Sequence, residues 1–241
     1  MSPRTPSRGV ALAALLALCA CGDGEDLPAP APDAGTDTVD AGPDAGGRPS
    51  DPYADEVVSF QPGEGVSFGQ DRFPTVVLGA PAGVGPDNGS LDVLSLGRGG
   101  TITLRFTDLA AVNGPGVDLL VFENAFALPN GSTYAETGRV EVSDDGVTWL
   151  AFPCAAGDAA GGYPGCAGVR PVLANQANGV SATDPAVAGG DGFDLATVGL
   201  DRARYVRITD TGANGYFDTA GGFDLDAVAV VNGEPLPGSA P

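Results

Sequence analysis

The amino-acid sequence predicts an all-β fold, a single antiparallel β-sandwich, and three observations support this prediction. Short apolar runs recur between turns rich in Gly, Asp, Asn and Pro over residues 53–234. No window shows apolar residues repeating every 3.6 positions, as an amphipathic helix requires. The 38 Gly and 21 Pro of the 241-residue chain also disfavour long helices. A domain of this length is large enough for one sizeable core.

Strands are predicted where apolar and polar residues alternate or where apolar residues run together. Alternation is cleanest in Thr101–Phe106, Arg139–Ser143 and Arg204–Thr209. The predicted strands are Val57–Phe60, Thr75–Leu78, Leu91–Leu96, Thr101–Phe106, Val117–Phe122, Arg139–Ser143, Thr148–Phe152, Tyr205–Thr209 and Ala227–Val231.

The N-terminus has the pattern of an export signal. Arg4 and Arg8 precede the apolar run Val10–Leu18, which is too short to span a bilayer but suits the apolar region of a signal peptide. The following Leu18-Cys19-Ala20-Cys21-Gly22 resembles the bacterial lipoprotein box. That resemblance implies a signal peptide over residues 1–20 and acylation of Cys21. An ordinary export signal with an incidental cysteine is the alternative.

Residues 21–52 are predicted to be a lipidated cysteine followed by a disordered linker rich in Asp, Ala, Gly and Pro. This segment contains too few large apolar residues to offset the entropy of ordering it. Residues 235–241 are predicted to be a flexible tail.

Because of the predicted signal and acylated Cys21, the chain is expected in the cell envelope, held to the membrane only by its lipid anchor. Gly22 after the cysteine favours the outer membrane or cell surface.

The charge balance is strongly acidic and excludes one class of partner. The formal net charge is −20, and every basic residue is Arg. Without residues 1–20, nine Arg and 31 acidic residues remain, a net charge of −22. Such a surface repels phosphates, so nucleic acid is not an expected partner. It favours divalent cations instead.

Two missing residue types limit the possible chemistry. The chain contains no His and no Lys, which excludes Ser-His-Asp triads, imidazole metal sites, Schiff-base lysines and phosphate-loop lysines. A pair of carboxylates such as Glu123 and Glu136 is the remaining route to a glycosidase-like activity. We therefore expect a protein that is not an enzyme.

Two cysteines lie outside the signal. Cys154 and Cys166 are an even pair in an exported chain, so they are predicted to form a disulfide. The bridge would close the loop Ala155–Gly165 and stabilise the fold by about 3 kcal/mol.

Two segments carry a family resemblance. Val140–Trp149 has the form of a strand, an Asp-Gly turn and a second strand, and Ala203–Thr209 follows some fifty residues later with the sequence Ala-Arg-Tyr-Val-Arg-Ile-Thr. Together and in this order they resemble the discoidin domain (coagulation-factor type C), a galactose-binding-like jelly roll. Four further segments are similar to uncharacterised bacterial cell-surface proteins: Gly69–Pro74, Leu91–Gly97, Phe122–Phe126 and Gly222–Val228.

The resemblance implies binding through loops at one end of the sandwich, most often of carbohydrate. The loops Phe126–Tyr134 and Gly157–Tyr163 are expected to take part, with Tyr134, Tyr163 and Tyr216 as stacking residues. Trp149, the only Trp, matches a core position of the hairpin. The alternative is a structural or adhesive surface protein that binds another protein. A flat apolar patch would favour that alternative.

The acidic residues also predict a structural Ca²⁺ ion, because Ca²⁺ binds carboxylate, carbonyl and amide oxygens. The repeated Gly-Phe-Asp-Leu of residues 192–195 and 222–225 suggests a recurrent turn with Phe buried and Asp facing a shared pocket. Aspartates that only cap turns are the competing interpretation. The candidate metal ligands are Glu123, Asn124, Asp191, Asp194, Asp210, Asp218, Asp224 and Asp226.

Overall fold

The structure is a computed structural model that describes residues 50–213 and 222–238. Cys21, Tyr216 and Asp218 lie outside the described residues, as do the predicted signal and nearly all of the predicted linker. The strands within the described ranges are β1 Glu56–Gln61, β2 Leu94–Ser95, β3 Thr101–Arg105, β4 Leu109–Val112, β5 Leu119–Glu123, β6 Phe126–Ala127, β7 Thr133–Tyr134, β8 Gly138–Ser143, β9 Leu150–Ala151, β10 Asp191–Phe193, β11 Arg202–Ala203, β12 Tyr205–Asp210, β13 Asp224–Val230 and β14 Gly233–Pro235.

Two antiparallel sheets form the body of the domain. One has the strand order β1-β3-β12-β8-β9 and the other the order β10-β5-β13-β2. A three-stranded sheet, β11-β4-β14, and the β6–β7 hairpin complete the described strands. The predicted all-β fold class is confirmed, and the arrangement is that of a β-sandwich.

The main core lies between the two large sheets. Leu104 and Ile208 come from the five-stranded sheet, Leu119 and Val228 from the four-stranded sheet, and all four are fully buried in one cluster. Burying a side chain of this size contributes about 2 kcal/mol. A second cluster, which includes Leu120 and Phe122, covers the other face of the four-stranded sheet. That sheet is therefore buried on both faces.

The five-stranded sheet has one buried face and one partly exposed face. In β12, Val206 and Ile208 are buried, while the alternate residues Tyr205 and Arg207 are partly exposed. This is why alternation is clear in β3, β8 and β12 but absent from β5 and β13, whose residues are all buried.

The prediction of a strand over Thr75–Leu78 is wrong. Thr75–Val77 forms a single 3₁₀ turn. The N–H of Val77 donates to the carbonyl of Pro74 at 3.2 Å, and the Thr75 hydroxyl donates to the carbonyl of Arg72 at 2.7 Å. These local bonds satisfy polar groups that a strand would offer to a neighbour, so the apolar run does not join a sheet.

The predicted disulfide is confirmed. Cys154 and Cys166 are bonded, with their Cα atoms 4.5 Å apart. Ala167, next to this bridge, pairs with Gly138 at the start of β8, so the closed loop lies against one end of the sandwich.

Among the described residues, none belongs to a helix with the length and apolar character needed to cross a bilayer.

Candidate functional site

Acidic side chains are concentrated at one end of the sandwich. There β5 and β12 end and β8 and β13 begin, which brings Glu123, Asp210 and Asp224 together with Glu136. All four residues are between 1% and 4% exposed. We call this group the carboxylate end. Three of its members are among the predicted metal ligands, whereas Glu136 was expected only as a catalytic partner of Glu123.

Glu123, the last residue of β5, is the most deeply buried member. Its Oε1 accepts a hydrogen bond from the N–H of Asp224 at 3.4 Å. Burial, followed by the neighbouring charges of Asp224 and Glu136, raises the pKa of Glu123 well above its usual value. Burial therefore disfavours the ionised form of this carboxyl unless a cation compensates its charge.

Glu136 was not among the predicted metal ligands. Burial raises its pKa to about 8, and the charges of Asp224 and Asp210 add to this effect. The N–H of Gly222 and the hydroxyl of Tyr134 donate hydrogen bonds to the carboxylate, and these bonds lower the pKa. Because Glu136 lies in no motif of its own, only the fold could place it here.

Asp210 has a structural role at the same end. Its Oδ1 accepts hydrogen bonds from the N–H groups of Gly99 and Gly212, both at 2.8 Å. Its Oδ2 accepts from the N–H of Phe223 at 2.9 Å. One carboxylate thus joins three loop segments, which agrees with the capping interpretation for this aspartate.

Asp224 lacks such a set of donors. Burial raises its pKa to about 6, although the polar groups of Ser95 and Asn124 lower it. Its Oδ1 has no hydrogen-bond partner among the described residues, and the same holds for Glu123 Oε2, Asn124 Oδ1 and Ser95 Oγ. These four buried oxygens lie on or beside the adjacent strands β5, β13 and β2.

The other predicted metal ligands lie apart from these oxygens. Asp191 accepts hydrogen bonds from the N–H groups of Val169 and Arg170, and burial raises its pKa to about 6. Asp226 accepts from the N–H of Ala82, and burial raises its pKa to about 7. Within the described ranges, no three acidic or cysteine side chains surround a common point.

The repeated Gly-Phe-Asp-Leu does not form a shared pocket. Phe193 and Phe223 are both buried, as expected. However, Asp194 follows Phe193, which pairs with Leu119 at the start of β5, and its side chain caps the turn Leu195–Thr197. Asp224 lies near Glu123, at the other end of β5. The prediction of a common pocket for the two aspartates is therefore wrong.

The β6–β7 hairpin carries an aromatic pair beside the carboxylate end. The rings of Phe126 and Tyr134 stack with centroids 4.9 Å apart and an angle of 13° between their planes. Both residues are partly exposed, and Asn130 and Ser132 at the hairpin tip are exposed. The hairpin thus presents an apolar surface next to polar side chains.

Tyr163 lies in the loop closed by the disulfide. It has a backbone φ of +54°, a left-handed conformation that non-glycine residues rarely adopt. Its N–H donates to the carbonyl of Asp158, and its own carbonyl accepts from the N–H of Cys166. These bonds and the disulfide fix a partly exposed tyrosine in a strained turn, a feature that is frequent at functional sites.

A separate cleft of about 240 Å³ lies away from the hairpin. Arg72, Asp92, Thr75 and Gln176 supply its polar lining, and Arg72 forms an ion pair with Asp92. It contains no aromatic lining residue. The cleft was not predicted, because it forms only where the fold brings Asp92 and Gln176 against the segment 72–80.

The expectation that Trp149 packs in the core is wrong. Trp149 is partly exposed and lies on the outer side of the five-stranded sheet, where the guanidinium of Arg207 is 4.1 Å from its ring centroid. The ring of Tyr205 has the guanidinium carbons of Arg105 and Arg204 at 5.8 and 5.7 Å. We call these five residues the arginine face.

The chain matches no protein-family model and no curated protein sequence.

Proposed function

We propose that the protein is a lipid-anchored envelope protein that binds extracellular carbohydrate through the loops at the carboxylate end. The stacked Phe126–Tyr134 pair carries this proposal. Sugar rings have apolar C–H faces that pack on aromatic side chains, while their hydroxyls bond to nearby polar groups. The hairpin offers both kinds of contact, since Asn130 and Ser132 are exposed at its tip.

Two features support a preformed site. Tyr134 is oriented by its hydrogen bond to buried Glu136, and the disulfide restrains the loop that carries Tyr163. Restraint of this kind reduces the conformational entropy lost when a ligand binds. Both loops leave the sandwich at the same end, so one oligosaccharide could contact them together.

The binding proposal is tested by a glycan array with the full-length protein. We expect binding that Phe126→Ala reduces at least about tenfold, because the variant removes half of the aromatic pair. Gln176→Ala, an exposed change in the separate cleft, is the control and should leave binding unchanged. Loss of binding in Gln176→Ala alone would place the site in the cleft.

The anchoring proposal rests on the sequence around Cys21. Metabolic labelling with a radioactive fatty acid in a bacterial host should label the wild-type protein and Cys19→Ser, but not Cys21→Ser. Label in all three proteins, or in none, would contradict acylation at Cys21.

One observation favours the alternative, a surface protein that binds another protein. Several apolar side chains between residues 66 and 91 are exposed, with Leu91 at 69% and Val84 at 52%. If the array is blank and the protein is folded, the protein should bind to the surface of bacterial cells. Leu91→Ser and Val84→Ser should then weaken this binding. Unchanged cell binding would remove this alternative.

A further inference from the structure

Buried oxygens without partners are rare in folded proteins, and here they are clustered. Six buried side-chain polar atoms have no hydrogen-bond partner among the described residues, and four of the six belong to the carboxylate end or to residues adjacent to it. The four atoms are Ser95 Oγ, Glu123 Oε2, Asn124 Oδ1 and Asp224 Oδ1. Each unsatisfied group of this kind calls for a physical explanation, such as a bound water or ion.

Strand pairing places these residues next to one another at one end of the four-stranded sheet, where the N–H of Asp224 donates to Glu123 Oε1 at 3.4 Å. Asp224 of β13 pairs with Ser95 of β2, and Leu225 pairs with Glu123 of β5 on the other side. Asn124 directly follows Glu123. The pairing of β13 with β5 shifts between Leu225 and Ala227, so the strand is irregular next to the cluster. Bulges of this kind often redirect side chains beside a binding site.

The chemistry of the cluster selects its occupant. Carboxylate and amide oxygens can only accept hydrogen bonds, so a ligand that satisfies them must supply protons or positive charge. All the atoms are hard oxygen donors, and the two carboxylates together carry a charge of −2 when ionised. A divalent cation that prefers oxygen matches both properties. A cavity of about 10 Å³, lined by Glu123 and Asn124 together with Asn88 and Ser90, adjoins the cluster. It has room for about one water molecule, a further possible ligand.

We propose that Glu123, Asp224, Asn124 and Ser95 bind one Ca²⁺ ion, with water completing the coordination. Ca²⁺ accepts an irregular shell of six to eight oxygens, whereas Mg²⁺ requires a nearly regular octahedron and gives up its water reluctantly. Donors from three neighbouring strands and one loop residue suit the less regular ion. The ion would pin the ends of β5, β13 and β2 to each other, independently of whether a sugar binds nearby.

This assignment separates the candidate aspartates. Asp194, Asp191 and Asp226 already accept hydrogen bonds from backbone N–H groups in other places, so they are left outside the site. Asp210 is fully engaged by three such groups. Ser95 enters the site although it was not predicted to be a metal ligand.

The test is thermal unfolding of the chelator-treated full-length protein, without metal and then with CaCl₂ or MgCl₂. At a Ca²⁺ concentration about 100 times Kd, the Tm should rise by about 5 to 10 °C. Glu123→Gln should abolish the rise, and Asn124→Ala should require about tenfold more Ca²⁺ for the same rise. Asp226→Asn, a buried aspartate of the same strand, is the matched control and should keep the full rise.

Each alternative result overturns the proposal. An unchanged Tm in the wild type would mean that protons, not a metal, satisfy these oxygens. An equal rise in Glu123→Gln would indicate general screening of an acidic surface. An equal rise with MgCl₂ would reject the choice of Ca²⁺. If Glu123→Gln fails to fold, Asn124→Ala and Asp226→Asn still give the comparison.

Discussion

The carboxylate end and the arginine face satisfy their charges in opposite ways. On the arginine face, Arg207 makes two 2.8 Å hydrogen bonds to Glu141, and hydrogen bonds from Arg202 lower the pKa of the adjacent Asp144. At the carboxylate end, burial raises the pKa of Glu136 to about 8, and the charges of Asp224 and Asp210 add to this effect.

This difference shows which charges the fold depends on. The ion-paired side chains beside the arginine face are 22% to 52% exposed, so water replaces a lost partner at little cost. At the carboxylate end the four acidic residues are almost fully buried, so each oxygen needs an N–H group, a bound water, a proton or a cation. Asp210 has found three N–H groups, whereas Asp224 and Glu123 each retain an oxygen without a donor.

The largest effect should come from Asp210. Asp210→Ala would leave the N–H groups of Gly99, Gly212 and Phe223 without their acceptor, so we expect a loss of about 4 kcal/mol in the free energy of unfolding. Urea denaturation measures it, with Asp210→Asn as the control that retains one acceptor oxygen. A loss below about 1 kcal/mol would show that these N–H groups are solvated.

The next largest effect should be the pH dependence of stability caused by Asp191. Burial raises the pKa of Asp191 from 3.8 to about 6. Below pH 3.8 both the folded and the unfolded states bind the proton. Between these two values the unfolded state releases it first, so stability falls as pH rises, by up to about 3 kcal/mol. Asp191→Asn should make the decline smaller by this amount when unfolding is measured from pH 4 to 7, and the raised pKa values of Asp224 and Asp226 should cause much of the decline that stays.

The control for this pH series is Asp194→Asn, which changes a partly exposed capping aspartate. It should retain the decline of the wild type. If Asp191→Asn shows the same slope as the wild type, Asp191 does not carry a raised pKa in the folded protein.

A smaller effect is expected on the arginine face. The guanidinium of Arg207 packs on Trp149, and contacts of this type contribute about 0.5 to 1 kcal/mol at exposed sites. A double-mutant cycle with Arg207→Met and Trp149→Leu should give a coupling of this size. A coupling indistinguishable from zero would mean that the two side chains do not meet in solution.

The smallest effect should come from the Arg105–Glu56 ion pair. The charged atoms are 3.2 Å apart, but the two side chains are 38% and 52% exposed. Glu56→Gln should change the free energy of unfolding by less than about 0.5 kcal/mol. A change larger than about 1 kcal/mol would show that the sheet face is less hydrated than its exposure suggests.

The fold could be predicted from the sequence where a strand has one buried and one solvent-exposed face, because apolar and polar residues then alternate along it. The alternation in β3, β8 and β12 marked them correctly, and the disulfide followed from two isolated cysteines. Short strands such as β6 and β7 have too few residues for a pattern. The apolar run at Thr75 was misassigned because local turn bonds satisfied its backbone.

The candidate site was less predictable, because its geometry depends on strand register. Glu123, Asn124 and Asp224 stood out as acidic or amide residues at strand ends, and the fold brings them together. Ser95 and Glu136 were not predicted to be metal ligands, and only the fold places them there. Asp194 and Asp224 share a sequence pattern yet lie at opposite ends of β5.

The most direct test of the proposed Ca²⁺ site at the carboxylate end is a count of bound metal. The full-length protein is dialysed against micromolar CaCl₂ at pH 7.5 and an ionic strength of about 0.15 M, which screens weak surface binding. Atomic spectroscopy should find about one Ca²⁺ per chain in the wild type and in Asp226→Asn, but almost none in Glu123→Gln. No bound Ca²⁺ in the wild type, or equal amounts in all three proteins, would contradict the account.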